Sequence, residues 1–89
     1  MTMQMRQVRA FLELAETLSF SEGSARVGLS QPAFSLSIQK LEEALGTKLF
    51  DRTSRTVSLT REGEAFRPLA RRLAATFDET VEEMADLVA

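Results

Sequence analysis

Apolar side chains repeat at alternating steps of four and three residues through the last third of this 89-residue chain. The repeat occupies Phe66, Ala70, Leu73, Phe77, Thr80, Met84 and Leu87. It predicts one amphipathic helix over residues 61–89, whose stripe Leu69, Val81 and Val88 widen. A helix of about 28 residues is ~42 Å long, more than the rest of so short a chain can cover. The half that follows about Leu73 is therefore expected to pack on another chain. The residues assigned to this contact between chains are Phe66, Ala70, Leu73, Phe77, Thr80, Val81, Met84 and Leu87.

The beginning of this long helix is marked by Thr60, an N-cap residue type followed by Glu62 and Glu64, whose charges favour the positive end of the helix dipole. Pro68 cannot donate a hydrogen bond to the Glu64 carbonyl. We therefore expect a kink near the first two turns.

Two shorter helices are expected near the amino terminus. The first covers about residues 5–18, because apolar residues recur there at helical spacing, namely Val8, Phe11, Leu12, Ala15 and Leu18. The second ends at Gly28, which supplies a left-handed stop after about Val27. Its cap has two candidates: Ser19 has the capping-box spacing to Glu22, and Ser21 is the better placed for a helix to Val27.

A third helix is expected between Ser30, its N-cap, and Gly46, with Pro32 in the first turn. Its apolar stripe consists of Phe34, Ile38, Leu41 and Leu45. A short helix, a tight glycine-containing turn and a longer helix form the outline of a helix-turn-helix, here at about residues 20–39.

Two short runs, residues 48–52 and 56–59, predict a β-hairpin connected through Thr53-Ser54-Arg55. An isolated hairpin is marginally stable, so this one must lie on the helices. Its expected inward anchors are Leu49, Val57 and Leu59. The predicted fold is mainly α: a domain over residues 3–60 with three helices and a two-stranded hairpin, followed by the long helix.

The side of the third helix opposite its apolar stripe carries side chains suited to contact DNA, namely Ser30, Gln31, Pro32, Ser35, Leu36, Gln39 and Lys40. Gln can pair with adenine in the major groove, Ser can contact several bases, and Leu36 can pack on a thymine methyl group. The alternative for Gln31 and Ser35 is a solvated helix surface, and the alternative for Leu36 is a protein–protein contact or an incidental exposed leucine.

The hairpin tip offers a second contact, because Arg52, Thr53 and Arg55 place guanidinium and hydroxyl groups together. Such groups reach phosphates or a narrow minor groove, although a solvated turn has the same composition. Arg9, Arg26 and Arg61 are further candidates for phosphate contacts, with plain surface positions as the alternative.

The charge distribution permits a polyanionic partner although the net charge is −2. Residues 1–77 hold all eleven cations and eight acids, which leaves +3, and the last twelve residues hold five acids and no cation. The chain has no Cys and no His, so thiolate chemistry and the usual zinc ligand sets are absent. An enzyme is not expected, nor is a membrane span, because no apolar run approaches 18 residues. Without a secretory signal at residues 1–6, the expected compartment is the cytoplasm.

Several motifs occur in a fixed order along the chain. They are Ser-Gln-Pro-Ala-x-Ser at 30–35, Leu-Glu-x-x-Leu-Gly at 41–46, Leu-Phe-x-Arg at 49–52 and Leu-Thr-x-x-Gly at 59–63. With these motifs the stretch from Met5 to Ala74 resembles the amino-terminal domain of LysR-type transcriptional regulators.

The resemblance implies a winged helix-turn-helix followed by a linker helix, residues 61–89, that pairs two copies in a homodimer on an inverted-repeat promoter site. It implies recognition-helix contacts for Gln31, Pro32 and Ser35, and wing contacts for residues 52–55. A small effector would bind a larger carboxyl-terminal domain, so no cofactor is expected in this chain, which we interpret as a fragment of a longer regulator. The alternative is a protein-interaction module built on the heptad helix.

Three positions depart from the pattern of LysR-type regulators. Leu36 stands where many members carry Arg, so a guanidinium contact is absent. Glu22 stands where a basic or neutral residue is more common. Gly23 replaces a usual Ala, and on exposed-helix scales it is expected to destabilise the second helix by ~1 kcal/mol.

Overall fold

The chain is described by a computed structural model that covers residues 2–53 and 55–89. Its elements follow the predicted order: α1 (Met5–Thr17), α2 (Phe20–Val27), α3 (Gln31–Leu45), β1 (Phe50–Arg52), β2 (Val57–Leu59) and α4 (Arg61–Val88). This architecture confirms the mainly helical fold with a two-stranded hairpin and a long last helix. The part of the hairpin prediction that concerns Ser54 lies outside the described residues.

The core lies between α1, α2 and α3 and extends under the hairpin and the first turns of α4. The largest fully buried side chains are Phe11, Phe34, Leu14, Ile38, Leu41, Leu49 and Val8. Leu18 and Leu45, which the periodicity placed in the buried stripes, are exposed. Leu18 is the left-handed C-cap of α1 and Leu45 is the last residue of α3, so both lie beyond the packed turns.

The ends of α2 and α3 follow the predicted capping chemistry with one correction. Gly28 and Gly46 both have φ +72°, the left-handed conformation expected of a glycine stop. Ser19 is the N-cap of α2, and its hydroxyl accepts a hydrogen bond from the Glu22 amide at 3.1 Å. The preference for Ser21 as the cap was wrong, because α2 begins at Phe20, one residue before it.

Gly23 is a packing requirement, which corrects its interpretation as a simple weakness of α2. A Cβ atom at this position would lie 2.7 Å from Cζ of Phe34, too close for any stable contact. Phe34 is fully buried and packs edge-on against Phe20, with ring centroids 6.0 Å apart. The missing side chain therefore lets α2 approach the largest core residue of α3.

The hairpin lies on the core through its first strand. β1 and β2 are antiparallel, with Phe50 opposite Leu59, and each has three residues. Leu49 is buried as predicted, whereas Val57 and Leu59 are only half-buried. Phe50 was not predicted as an anchor, yet it is buried with its ring centroid 5.4 Å from that of Phe11.

The first turn of α4 is fixed to β1 by Thr60 and Gly63. The Thr60 hydroxyl accepts from the Gly63 amide at 2.9 Å, as predicted for the cap, and donates to the Lys48 carbonyl at 2.7 Å. A Cβ atom on Gly63 would overlap the Leu49 carbonyl oxygen. Only glycine allows α4 to begin this close to the strand.

The early turns of α4 pack inside the chain, and the later turns project from it. Phe66 contacts the Phe11 ring edge-on at 4.9 Å, and Ala70 is fully buried in the same core. α4 is assigned as one helix through Pro68, and Ala74 is its last buried residue. The molecule measures 50 × 24 × 23 Å. Ala70 therefore has no surface left for another chain, which corrects its assignment to the intermolecular stripe, and Phe66 has little.

Replacement of Gly23 by Ala should lower the free energy of unfolding by about 1–3 kcal/mol, because overpacking against Phe34 outweighs the gain in helix propensity. Chemical denaturation of the single variant, of Phe34→Leu and of the double variant measures this effect. In the Phe34→Leu background the same glycine replacement should cost less. A Gly23→Ala protein more stable than the wild type would contradict the packing role.

Candidate nucleic-acid interface

The outward side of α3 presents the polar face that the helical wheel predicted. Ser30 caps the helix through a hydrogen bond from the Ala33 amide to its hydroxyl, 3.3 Å long. Ser35 is half-buried, and the other predicted contact residues of α3 are exposed: Gln31, Pro32, Leu36, Gln39 and Lys40. None of these side chains is used to build the core.

A shallow hollow of about 380 Å³ joins the amino-terminal end of α3 to β1, and its lining includes Gln31, Pro32, Ser35 and Arg52. The prediction grouped Arg52 with Arg55 at the hairpin tip. The structure instead places Arg52 in β1, with its guanidinium carbon 5.0 Å from the centroid of the Phe20 ring. Arg52 thus belongs spatially with the outward face of α3.

Glu42 is a buried carboxylate that connects α3 to the hairpin. Its Oε2 atom accepts hydrogen bonds from the backbone amides of Leu49 at 2.8 Å and Phe50 at 3.2 Å. Its Oε1 atom faces Arg52 at 3.4 Å and Lys48 at 3.8 Å. Four donors from one segment therefore converge on a side chain that is 3% exposed.

Sequence reasoning missed this connection because Glu42 was used only as part of the motif at residues 41–46 and was assigned no partner. The signal was available on the helical wheel, where residue 42 follows the buried Ile38 by four residues and shares its face. A charged residue on a core-facing stripe needs partners, and the chain supplies Lys48 and Arg52 soon afterwards.

The hairpin tip is closed by Thr53 and leaves Arg55 exposed. The Thr53 hydroxyl accepts from the Thr56 amide at 3.0 Å and lies 2.8 Å from the Thr56 hydroxyl. It also accepts from the Arg55 amide at 3.3 Å. Thr53 thus shapes the turn rather than offering a free hydroxyl. Across residues 2–53 and 55–89, no carboxylate forms an ion pair with Arg55.

Arg26 is engaged within the chain, which corrects its candidacy as a phosphate contact. Its Nη1 atom lies 2.8 Å from Glu16 and 3.4 Å from Glu13, so the pair connects α2 to α1. The hydrogen bond from Arg26 lowers the pKa of Glu16 below its ordinary value. Because both carboxylates hold the guanidinium against α1, Arg26 is less available for a phosphate contact than an unpaired arginine would be.

Arg9 connects α1 to α4 and is corrected in the same way. Its Nη2 atom lies 2.8 Å from Oδ1 of Asp78, and its guanidinium carbon lies 5.5 Å from the centroid of the Phe77 ring. Arg61 is exposed, and its phosphate contact stays a prediction.

The projecting part of α4 keeps most of its predicted apolar stripe uncovered. Thr80 is exposed there, and its hydroxyl donates to the Thr76 carbonyl within the helix. The exposed apolar members of the predicted stripe in this part are Leu73, Phe77, Val81, Met84, Leu87 and Val88. Exposure rises toward the end of the helix and reaches 80% at Val88.

Other classes of site find no support in the part of the chain that the structure describes. No cluster of three acidic, histidine or cysteine side chains there could hold a metal ion. No described helix is both long enough and apolar enough to cross a membrane.

The fold is a winged helix-turn-helix of the regulatory type. It consists of a short helix, a glycine turn and a longer helix with a free polar face, beside a hairpin that carries cations. Residues 5–64 match the family described as bacterial regulatory helix-turn-helix protein, lysR family. The chain belongs to this family. Because the family and the curated relatives are transcriptional regulators, the expectation that the chain is not an enzyme is confirmed.

Two curated relatives illustrate the similarity. The transcriptional regulator ShiR of Corynebacterium glutamicum is 45% identical over 74 residues, which are 83% of this chain and 25% of ShiR. The uncharacterized regulator YbhD of Escherichia coli is 39% identical over 84 residues, 94% of this chain and 26% of YbhD. The chain therefore spans about a quarter of the length of these relatives.

Solved structures give the same result in three dimensions. Vibrio fischeri DarR in complex with DNA is 34% identical with a TM-score of 0.93, and the match covers 98% of this chain and 30% of DarR. The complex of the BenM domain with catB site 1 DNA is 34% identical with a TM-score of 0.90, and the match covers 98% of both chains. The whole described architecture, α4 included, is thus that of LysR-type domains.

Replacement of Glu42 by Ala should lower the free energy of unfolding by about 2–3 kcal/mol, because two buried backbone amides lose their acceptor. Glu42→Gln is the matched control, since its amide oxygen can still accept from those donors, and it should cost less than half as much. Urea denaturation followed by circular dichroism measures both. A Glu42→Ala protein within 0.5 kcal/mol of the wild type would show that the connection contributes little.

Proposed function

We propose that the chain binds double-stranded DNA with α3 in the major groove, the hairpin beside it on the sugar–phosphate backbone, and two copies joined through α4. The observation that carries this proposal is the outward face of α3, which is polar, uncovered and free of acids over its first three turns. The DNA complexes of DarR, BenM and CbnR support it, since each of these relatives covers 98% of this chain. They disfavour a module that binds only protein.

The proposed base contacts come from the amino-terminal half of α3. Gln31 offers an amide to adenine, Ser35 offers a hydroxyl, and Pro32 contributes an apolar surface beside them. Ser30 places the first backbone amides of α3 at the interface, where the helix dipole favours phosphate. Gln39 extends the same face toward the following base pairs.

The proposed backbone contacts come from cations that the fold leaves available. Arg55 at the hairpin tip is exposed and can approach phosphates or the minor groove. Arg52 beside Gln31 is held against Phe20 and Glu42, so it would act as a fixed part of the recognition face. The last twelve residues of the chain hold five acids and no cation. These acids all follow Ala74, the last buried residue of α4.

The proposed dimer uses the exposed stripe of α4 that begins at Leu73. Residues 75–88 form a helical segment ~21 Å long without buried side chains, and its apolar residues need a partner. A second copy supplies the same stripe, so the contact is symmetric and closed. Two α3 helices on one face of the duplex then require half-sites ~34 Å apart in an inverted repeat, or bent DNA.

The properties of a whole regulator extend the proposal beyond this chain. A small effector would act on a larger domain, so we assign no cofactor to residues 1–89. The site of action would be the bacterial nucleoid in the cytoplasm. Promoter control, at a nearby or divergent gene, is what the resemblance to LysR-type regulators implies for the whole protein.

Selection of bound duplexes from a random pool, followed by titration of two variants, tests the DNA contacts. Gln31→Ala should weaken binding to the selected duplex by ~1–3 kcal/mol and leave random duplexes unchanged, because it removes a base contact. Arg55→Ala should weaken binding to both duplexes and reduce the slope of log K against log salt by about one. Arg72→Ala, an exposed Arg of α4, is the charge-matched control.

Three results would contradict parts of this proposal. Equal losses for Gln31→Ala on selected and random duplexes would make Gln31 a positioning contact only. An unchanged salt slope for Arg55→Ala would remove the hairpin tip from the phosphate contacts. Absence of any enriched duplex at low salt would refute DNA binding itself.

Replacement of Met84 by Asp should weaken the dimer by about 3 kcal/mol, or roughly 100-fold, because each copy would bury an unpaired charge in the seam. Sedimentation equilibrium measures the dissociation constant. Ala75→Asp adds the same charge on the opposite side of α4 and should leave the dimer intact. A wild-type chain that stays monomeric at high micromolar concentration would refute the α4 interface.

A further inference from the structure

Three exposed apolar side chains lie together where α3 approaches the amino-terminal end of α1. Leu29, Ala33 and Leu36 line one groove of about 220 Å³ between these helices. Leu36 is 49% exposed and Leu29 is 42% exposed, so neither contributes fully to the core. An exposed apolar surface on an otherwise polar helix face is suited to contact an apolar group of a partner.

Cations flank this apolar groove. Arg6, in the first turn of α1, and Lys40, in the third turn of α3, both line it and both are exposed. No carboxylate is among the described residues that line it. Glu43 is the nearest acid on the outward side of α3, and it lies in the following turn. The apolar base of the groove and the two positive charges at its sides complement a ligand that carries apolar groups between negative charges.

The groove also has a length that matches DNA. Ala33 and Lys40 are seven residues apart, which is ~10 Å along the axis of α3. Successive base pairs rise by about 3.4 Å, so this stretch faces roughly three of them. Thymine is the base that presents a methyl group in the major groove, and its neighbours along the strand are linked by phosphates.

We infer that this groove recognises thymine methyl groups, with Leu36 and Leu29 packed on the methyls and with Arg6 and Lys40 on the flanking phosphates. The inference rests on the proposed entry of α3 into the major groove and specifies what that face selects. Leu36 replaces direct hydrogen bonding by apolar contact, so the preferred half-site contains thymines opposite the middle of α3. Arg6 and Leu29 join the interface as new members.

Removal of single methyl groups tests this inference directly. The probe is the duplex enriched from the random pool, resynthesised with deoxyuridine in place of each thymine in turn, which deletes only the C5 methyl. The wild-type chain should lose about fourfold in affinity at one or two thymines of each half-site, the value of one buried methyl-sized group. Leu36→Ala should bind thymine and uracil duplexes equally at one of these positions.

Two further variants separate apolar contact from other roles. Leu36→Met keeps an apolar side chain and should stay sensitive to the methyl group. Arg6→Gln should weaken all duplexes alike and reduce the salt slope by about one, without changing methyl sensitivity. Because Leu36 and Arg6 are exposed, thermal unfolding of each variant should match that of the wild type.

The outcomes distinguish this inference from the function on which it rests. If the chain binds a selected duplex tightly and no thymine responds to methyl removal, the groove does not recognise thymine and is left as a contact for protein. Equal methyl sensitivity of Leu36→Ala and the wild type would also overturn it. If no duplex is enriched, the proposed DNA binding fails first and the inference fails with it.

Discussion

The orientation of the hairpin relative to the recognition helix depends on one buried carboxylate. A charged side chain inside a small core is costly unless hydrogen bonds and opposite charges compensate it. Glu42 meets both conditions with the amides of Leu49 and Phe50 and the cations of Lys48 and Arg52. These partners all lie within residues 48–52, so one side chain contributes both to where β1 begins and to where the Arg52 guanidinium lies. The hollow beside α3 follows from that placement.

The second constraint is the length of α4. Gly63 and the Thr60 cap fix the start of α4 against β1, and these contacts set the direction of the helix. The apolar stripe extends beyond the core only further along α4. Arg9 adds a later contact through Asp78 and the Phe77 ring. Since Phe66 and Ala70 are used inside the chain, the part of the heptad repeat that is free for the proposed dimer begins only at Leu73. The pattern is continuous across this boundary, so periodicity alone does not show where packing inside the chain ends.

Much of the fold was predictable because its signals are local. Helix periodicity, the Thr60 and Ser30 caps and the stops at Gly28 and Gly46 each depend on residues within a few positions of one another. The misplaced features depend on contacts across the chain. Arg9 meets an acid 69 residues away, and the need for Gly23 becomes visible only when the Phe34 ring is packed on α2. Sequence patterns predicted which side of α3 faces outward, but not that Arg52 would join it.

The cations of this chain differ in whether they form ion pairs within it. This difference reconciles the negative net charge of the chain with the proposed polyanionic partner. Arg9, Arg26 and Arg52 each form an ion pair with a carboxylate, so their charges are partly compensated within the chain, and of these three only Arg52 lies beside α3. In the part of the chain that the structure describes, Arg55 and Lys40 have no such partner, and both lie on the proposed DNA side. A polyanion at short range responds to these few unpaired charges, because distant acids are screened within about 10 Å at ordinary salt. The number of released counterions should therefore follow the unpaired cations near α3 and not the composition of the whole chain.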